Sequence, residues 1–212
     1  LWGDQLAFND HGDGYVFNPD LFITYDGGRH WAYVPQAGIV LSVETLGYSV
    51  WMLEADCAPA NPQYCTLNLQ TSADGGVSWS ESPSQPHLDS VSFVPAAGGL
   101  LGQTWLVRTS QSSAYVLSNP VQNPFGAPDQ AALAFTDNGG ESWTTSEVPC
   151  GFDAQSVEMS AAPDGSLLAL CAGEPGAGNQ VKTVLRSSDH GQTWTTMVPY
   201  KTLVAIDDGY IG

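Results

Sequence analysis

The residues able to do chemistry in this 212-residue chain are mostly carboxylates. Glu44, Glu54, Asp56, Asp153 and Glu158 lie outside its repeated turns. Two carboxylates facing each other across a groove can cleave a glycosidic bond, one as acid and one as base or nucleophile. Glu44 and Glu158 close apolar strands and, with Asp153, are the candidate catalytic residues; strand-end carboxylates are otherwise ordinary solvated groups. Four cysteines, Cys57, Cys65, Cys150 and Cys171, form no C-x-x-C pair. The histidines at 11, 30, 87 and 190 sit in turns without ligand spacing, so zinc is not expected. Local pairing predicts Cys57–Cys65 and Cys150–Cys171 disulfides and an oxidising compartment. The turn Asn9-Asp-His-Gly-Asp-Gly14 is rich in oxygen donors. It lacks the twelve-residue spacing and terminal Glu of a calcium loop and reads as a hairpin turn. No metal and no cofactor is expected.

Charge narrows the partners. Acidic residues outnumber basic ones 22 to 5, for a net charge of −17. Arg29, Arg108, Lys182, Arg186 and Lys201 do not cluster, which argues against nucleic acid and anionic membranes as partners. No apolar run reaches the ~20 residues of a membrane span. The opening Leu-Trp-Gly reads as a mature or trimmed product, secreted or held at the cell envelope.

The elements that position these residues are legible in a repeat. Four segments align without gaps: Thr24-Tyr-Asp-Gly-Gly-Arg-His-Trp31, Ser72-Ala-Asp-Gly-Gly-Val-Ser-Trp79, Thr136-Asp-Asn-Gly-Gly-Glu-Ser-Trp143 and Ser187-Ser-Asp-His-Gly-Gln-Thr-Trp194. Each follows an apolar strand. Physically the unit is a tight hairpin turn. Asp26, Asp74, Asn138 and Asp189 accept backbone N–H groups, and glycine supplies positive φ. The Ser/Thr hydroxyl ties the strand end. Trp31, Trp79, Trp143 and Trp194 head the returning strand and bury their rings against a neighbouring sheet. Asn138 keeps the acceptor but not the charge, so its turn is expected to be held less tightly.

This pattern resembles the Asp-box, or bacterial neuraminidase, repeat. The tryptophans recur after 48 residues (31 to 79), 64 (79 to 143) and 51 (143 to 194), a period that suits four-stranded propeller blades. The resemblance implies an all-β propeller in which each box joins the third and fourth strands of a blade, away from the functional face. Blades are expected over 1–35, 36–83, 84–149 and 150–199, with a fifth beginning at 200–212, as part of a ring of six to eight. Trp105–Val107 or Ser90–Val94 serves as the first strand of the third blade.

Three functions are weighed. Sialidases use three arginines and an Arg-Ile-Pro motif; here Arg29 lies inside a repeat, Arg186 directly precedes one, and no such motif occurs. A β-glucan hydrolase needs the paired carboxylates named above. A non-catalytic binding or assembly scaffold, as in some photosynthetic assembly factors and sorting receptors, needs only a rigid frame with recognition loops. The loops between second and third strands are long, and Asp56, Tyr64, Asn119, Phe125, Asp129, Glu174 and Asn179 are the candidate contacts for a protein or carbohydrate. The scaffold is the expected function.

Overall fold

The computed structural model describes residues 5–57, 65–88, 104–119, 131–151, 154, 156–176 and 179–199. They form four antiparallel sheets of four strands each, ordered within each sheet as in the chain. The first holds β1 (Gln5–Phe8), β2 (Gly14–Phe17), β3 (Leu21–Thr24) and β4 (Ala32–Val34). The second holds β5 (Ile39–Leu46), β6 (Ser49–Cys57), β7 (Cys65–Ser72) and β8 (Ser80–Glu81). The third holds β9 (Thr104–Arg108), β10 (Ala114–Ser118), β11 (Ala131–Thr136) and β12 (Thr144–Val148). The fourth holds β13 (Ser156–Ala161), β14 (Leu167–Gly176), β15 (Asn179–Ser187) and β16 (Thr195–Val198). No helix long and apolar enough to cross a membrane occurs among the described residues. β9 settles the first strand of the third sheet on the Trp105 side; residues 90–94 and the expected fifth blade lie outside the described residues.

Alternation gives each sheet two apolar faces, and the cores lie between consecutive sheets rather than within one. Tyr15, Leu21 and Ile23 of the first sheet pack on Val40, Val43, Val50 and Met52 of the second. The other faces of β6 and β7, with Trp51, Leu53, Leu67 and Leu69, meet Leu106, Ala114, Val116 and Ala134 of the third. Tyr115, Leu117 and Leu133 then meet Val157, Leu167, Ala169 and Leu185 of the fourth. Polar ties span the same gaps. Asn119 acts as a surrogate peptide group: its Oδ1 accepts from Val157 N at 3.0 Å and its Nδ2 donates to Val157 O at 3.2 Å.

All four repeat turns join the third strand of a sheet to its fourth, and they share one hydrogen-bond pattern. In the second, Ser72 Oγ donates to Asp74 Oδ1 (2.8 Å) and accepts from Gly76 N (2.8 Å). Asp74 then accepts from both the backbone N–H (2.9 Å) and the hydroxyl (2.6 Å) of Ser78. Those donors hold the Asp74 carboxyl down to about 2, and the Thr193 donors do the same for Asp189. Asn138 reproduces the geometry, because its amide donates to Ser142 Oγ at 2.8 Å where the aspartates accept. The expected loosening of that turn is therefore not matched by lost hydrogen bonds. The fourth turn has His190 at φ 58° where the others have glycine. Tyr115 Oη lies 2.7 Å from its Nδ1, and the Phe135 ring stacks on it at 4.1 Å.

The tryptophans correct one expectation. Each precedes rather than heads the returning strand. Trp79, Trp143 and Trp194 pack against the cores shared with the preceding sheet, but Trp31 is 37% exposed. No described sheet precedes the first one; Trp31 packs edge-on with Phe8, ring centroids 6.2 Å apart, and donates its indole N–H to Gly28 O at 3.1 Å.

Both expected disulfides are present. Cys57–Cys65 bridges β6 to β7, and Cys150–Cys171 staples the exit of the third sheet to β14 of the fourth.

The last glycine of each turn sets how closely sheets approach. A Cβ at Gly191, where φ is +83°, would strike Leu133 of the third sheet; at Gly27, φ +72°, it would meet nothing. Gly191→Ala is expected to cost roughly 2–4 kcal/mol from backbone strain plus overpacking, and Gly27→Ala only about 1–2 kcal/mol from strain alone. Urea unfolding of the two variants measures the difference; equal losses would show that the turn does not set the sheet spacing.

Candidate functional site

The four innermost strands, β1, β5, β9 and β13, line a cavity of about 570 Å³. Their relative level follows from the register. Phe8, Thr45, Arg108 and Ala161 each pair, through the second strand, with the Ser/Thr of their own repeat turn. The third residue before each is Gln5, Ser42, Trp105 and Glu158. These four therefore stand at one level, one per sheet, and all line the cavity. Phe17, Leu106, Leu117 and Met159 supply apolar wall between them. Ser42 is spent on structure: its hydroxyl accepts from Leu106 N at 3.2 Å. Trp105 leans on the core between third and fourth sheets while presenting surface to the cavity.

Glu44 lies two residues beyond Ser42 on the same face, turned toward the third sheet. Burial pushes its carboxyl up to about 7, against the opposing pull of the Arg108 charge. Arg108 is itself buried. It donates to Ser49 O (2.9 Å), Ser49 Oγ (3.1 Å) and Gln111 O (3.4 Å), and its guanidinium lies 4.5 Å over the Trp51 ring. Burial pushes it down to about 10. Arg108, the arginine neither inside nor next to a repeat, is thus committed to joining the second and third sheets.

Of the candidate catalytic carboxylates, the cavity brings together Glu44 and Glu158; Asp153 lies outside the described residues. Glu158 is exposed and sits opposite Val157 and Met159, on the face turned away from the third sheet. The two side chains leave their strands on different faces, Glu44 toward the third sheet and Glu158 away from it, and both line the same cavity. Glu54 marks the other end of the second sheet. It is 4% exposed, one of its oxygens has no partner, and burial together with Asp56 raises its carboxyl while the Gly38 N–H lowers it.

The candidate loop contacts fare differently. Asn119 is corrected: it is buried and spent on Val157, since an amide at a strand end satisfies a neighbouring backbone better than it serves a ligand. Residues 173–176 and 179–180, expected within a loop, are strand. Glu174 lies within β14, and Asn179 opens β15 paired with Gly176, after a bulge between Ala172 and Pro175. The bulge lets a residue without an N–H sit in a ladder. Asp56 is exposed at the end of β6. Tyr64, Phe125 and Asp129 lie outside the described residues. No group of three or more His, Cys, Asp or Glu able to hold a metal occurs among the described residues.

Solved structures identify the fold. YCF48 bound to a D1 peptide matches with a TM-score of 0.52 at 15% identity, over 91% of this chain and 79% of that one. YCF48 from Cyanidioschyzon merolae matches with 0.53 at 17%, over 94% and 56%. A PL25 ulvan lyase matches with 0.58 at 15%, over 91% and 54%. The chain thus spans little more than half the length of the latter two. No protein-family model and no curated protein matches the sequence. At such identities the likeness is to the fold, and the fold is a β-propeller built of four-stranded blades.

The Glu44 environment makes stability depend on pH. A carboxyl raised from 4.5 to about 7 keeps its proton longer in the folded chain. Its contribution is full below pH 4.5 and is lost as pH rises through 7. Glu44→Gln is expected to leave stability at pH 4 unchanged and raise it at pH 8, by at most about 3 kcal/mol. Urea midpoints at the two pH values check this; parallel profiles would show that Glu44 is not desolvated.

Proposed function

We propose that the chain is an Asp-box β-propeller segment of the secreted type, acting as a non-catalytic binding scaffold whose axial cavity receives a protein or carbohydrate ligand. The observation that carries this reading is the cavity wall itself. Each of the four innermost strands contributes to it, and at one level it combines the Trp105 ring with the polar Gln5 and Glu158. Rigid strands, an aromatic platform and a few polar groups are what small recognition sites are made of. The four repeat turns support the family reading: each carries the hydroxyl–carboxylate or hydroxyl–amide bond and the positive-φ glycine. Two disulfides support an oxidising compartment.

The geometry favours binding over hydrolysis. An inverting or retaining glycosidase needs its carboxyls within about 10 Å and aimed at one bond. Glu44 and Glu158 line one cavity but leave their sheets on different faces, Glu44 toward the third sheet and Glu158 away from it. Some proteins of similar fold act on polysaccharide and one binds a peptide, so the ligand test includes both classes.

Calorimetric titration with xyloglucan oligosaccharides and with a peptide library is expected to find a ligand whose binding is lost in Trp105→Ala and kept in Trp31→Ala. A stacked aromatic contributes about 1–3 kcal/mol, so the loss is roughly tenfold or more in affinity. Binding insensitive to Trp105 would move the site elsewhere. Release of reducing ends from xyloglucan, abolished by Glu44→Gln, would overturn the non-catalytic reading.

A further inference from the structure

Two buried oxygens without a hydrogen-bond partner, Asn18 Oδ1 and Glu54 Oε1, lie at the end of the first two sheets away from the repeat turns. Asn18 follows β2 and holds φ 76°. Glu54 lies in β6 and is 4% exposed. The backbone brings them to one seam. Val40 N of the second sheet donates to Pro19 O of the first at 2.9 Å, and Val40 pairs with Glu54 across β5 and β6. Strand alternation fixes the direction of the side chain. Val50 and Met52 pack on the first sheet, while Trp51, Leu53 and Ala55 pack on the third. Glu54 therefore points with Val50 and Met52 toward the first sheet, and Asp56, two residues on, leaves the strand on the same side.

Both orphan atoms are acceptors, so neither satisfies the other while Glu54 is ionised. A buried acceptor left unpaired is costly, most of all when it is charged. Charge balance is missing as well. Burial, and then the Asp56 charge, raises the Glu54 carboxyl; the Gly38 N–H opposes them, and no positive charge is among the causes. Arg29 is the one arginine or lysine ahead of Arg108, and it belongs to the first repeat turn at the opposite end of the sheets. A water molecule can donate to both oxygens but leaves two like charges side by side. A cation answers both needs.

We propose that this seam binds a calcium ion, with Asn18 Oδ1, Glu54 Oε1 and the Asp56 carboxylate as its protein ligands, one from the first sheet and two from the second. Amide and carboxylate oxygens are the donors calcium takes, with water filling the rest of its coordination sphere. Magnesium demands stricter geometry and gives up its waters reluctantly, so it fits a site fixed by two packed sheets less well. Three protein ligands point to weak binding, about 10⁻⁴–10⁻³ M as in extracellular calcium modules. The site uses none of the residues that line the axial cavity and does not depend on what the cavity binds. The oxygen-rich Asn9–Gly14 turn is a different case: Asn9 Nδ2 already donates to Asp13 Oδ2 at 2.9 Å.

Calorimetric titration of the chelator-stripped chain with calcium chloride, and in parallel with magnesium chloride, tests this. Calcium is expected to fill one site per chain and to raise the melting temperature above that in equal magnesium. Glu54→Gln keeps the side-chain shape and removes the charge. Asn18→Gly keeps the positive-φ backbone and removes the oxygen. Each should weaken calcium binding about tenfold or more and abolish the difference in melting temperature. Asp10→Asn, at an exposed acid of the Asn9–Gly14 turn, should change neither. Far-UV circular dichroism verifies that each variant folds; Asn18→Asp replaces Asn18→Gly if that variant does not, and should tighten binding. Calcium binding that survives both substitutions, or equal responses to calcium and magnesium, overturns the proposal as general counterion binding to an acidic chain. Absence of calcium heat and of a melting shift overturns it too. In that case a melting temperature that rises on acidification, and no longer does so in Glu54→Gln, assigns the two oxygens to a protonated Glu54 donating to Asn18.

Discussion

A four-stranded sheet with apolar side chains on both faces cannot stand in water by itself. That constraint organises everything else in this chain. Each sheet must be covered twice, and the cover available is another sheet of the same kind. The repeat turns make close cover possible, because the last glycine of the turn lets backbone approach the preceding sheet where a methyl group would collide with Ile23, Ser82 or Leu133. The hydroxyl and carboxylate of the turn then satisfy its own N–H groups, so the approach leaves few orphan donors. Where cover is missing, the same residues become exposed aromatics.

The cavity is a by-product of this stacking that the chain has furnished with chemistry. Sheets packed at an angle leave their innermost strands around a shared space, and nothing in the turns dictates what lines it. Gln5, Ser42, Trp105 and Glu158 occupy equivalent positions yet have four different side chains. Glu44, turned into the gap between sheets, is the costliest of the lining groups to ionise. Its compensation is the through-space field of Arg108, a residue otherwise engaged in tying Ser49 and Trp51 to the third sheet.

The sequence made the local devices plain and hid the relational ones. The turns were legible because their hydrogen bonds close within a few residues. The disulfides were legible because each closes a short stretch of chain. Glu44 and Glu158 were singled out as strand-end carboxylates, and both reach the cavity, but the face each occupies depends on pairing across two strands. Trp105 was missed as a cavity residue for the same reason: the hairpins between each inner strand and its repeat differ in length, so equal level is not equal spacing. Composition misled at residues 173–176 and 179–180, where Gly and Pro suggested a loop and a bulged ladder formed. It misled again at Asn119, whose amide serves as a backbone substitute.

The hydrogen bonds that seat the turns all point one way along the chain. Tyr15 donates to Gly75 O, Ser82 to Gly140 O, and Tyr115 meets His190. In every case the residue that receives the turn was synthesised before the turn itself. A ribosome releasing this chain N-terminus first thus presents the second, third and fourth hairpins each with a seat that already exists. Assembly is vectorial: the growing arc acts as its own template, and the apolar surface left open at any moment is confined to the newest sheet and the first.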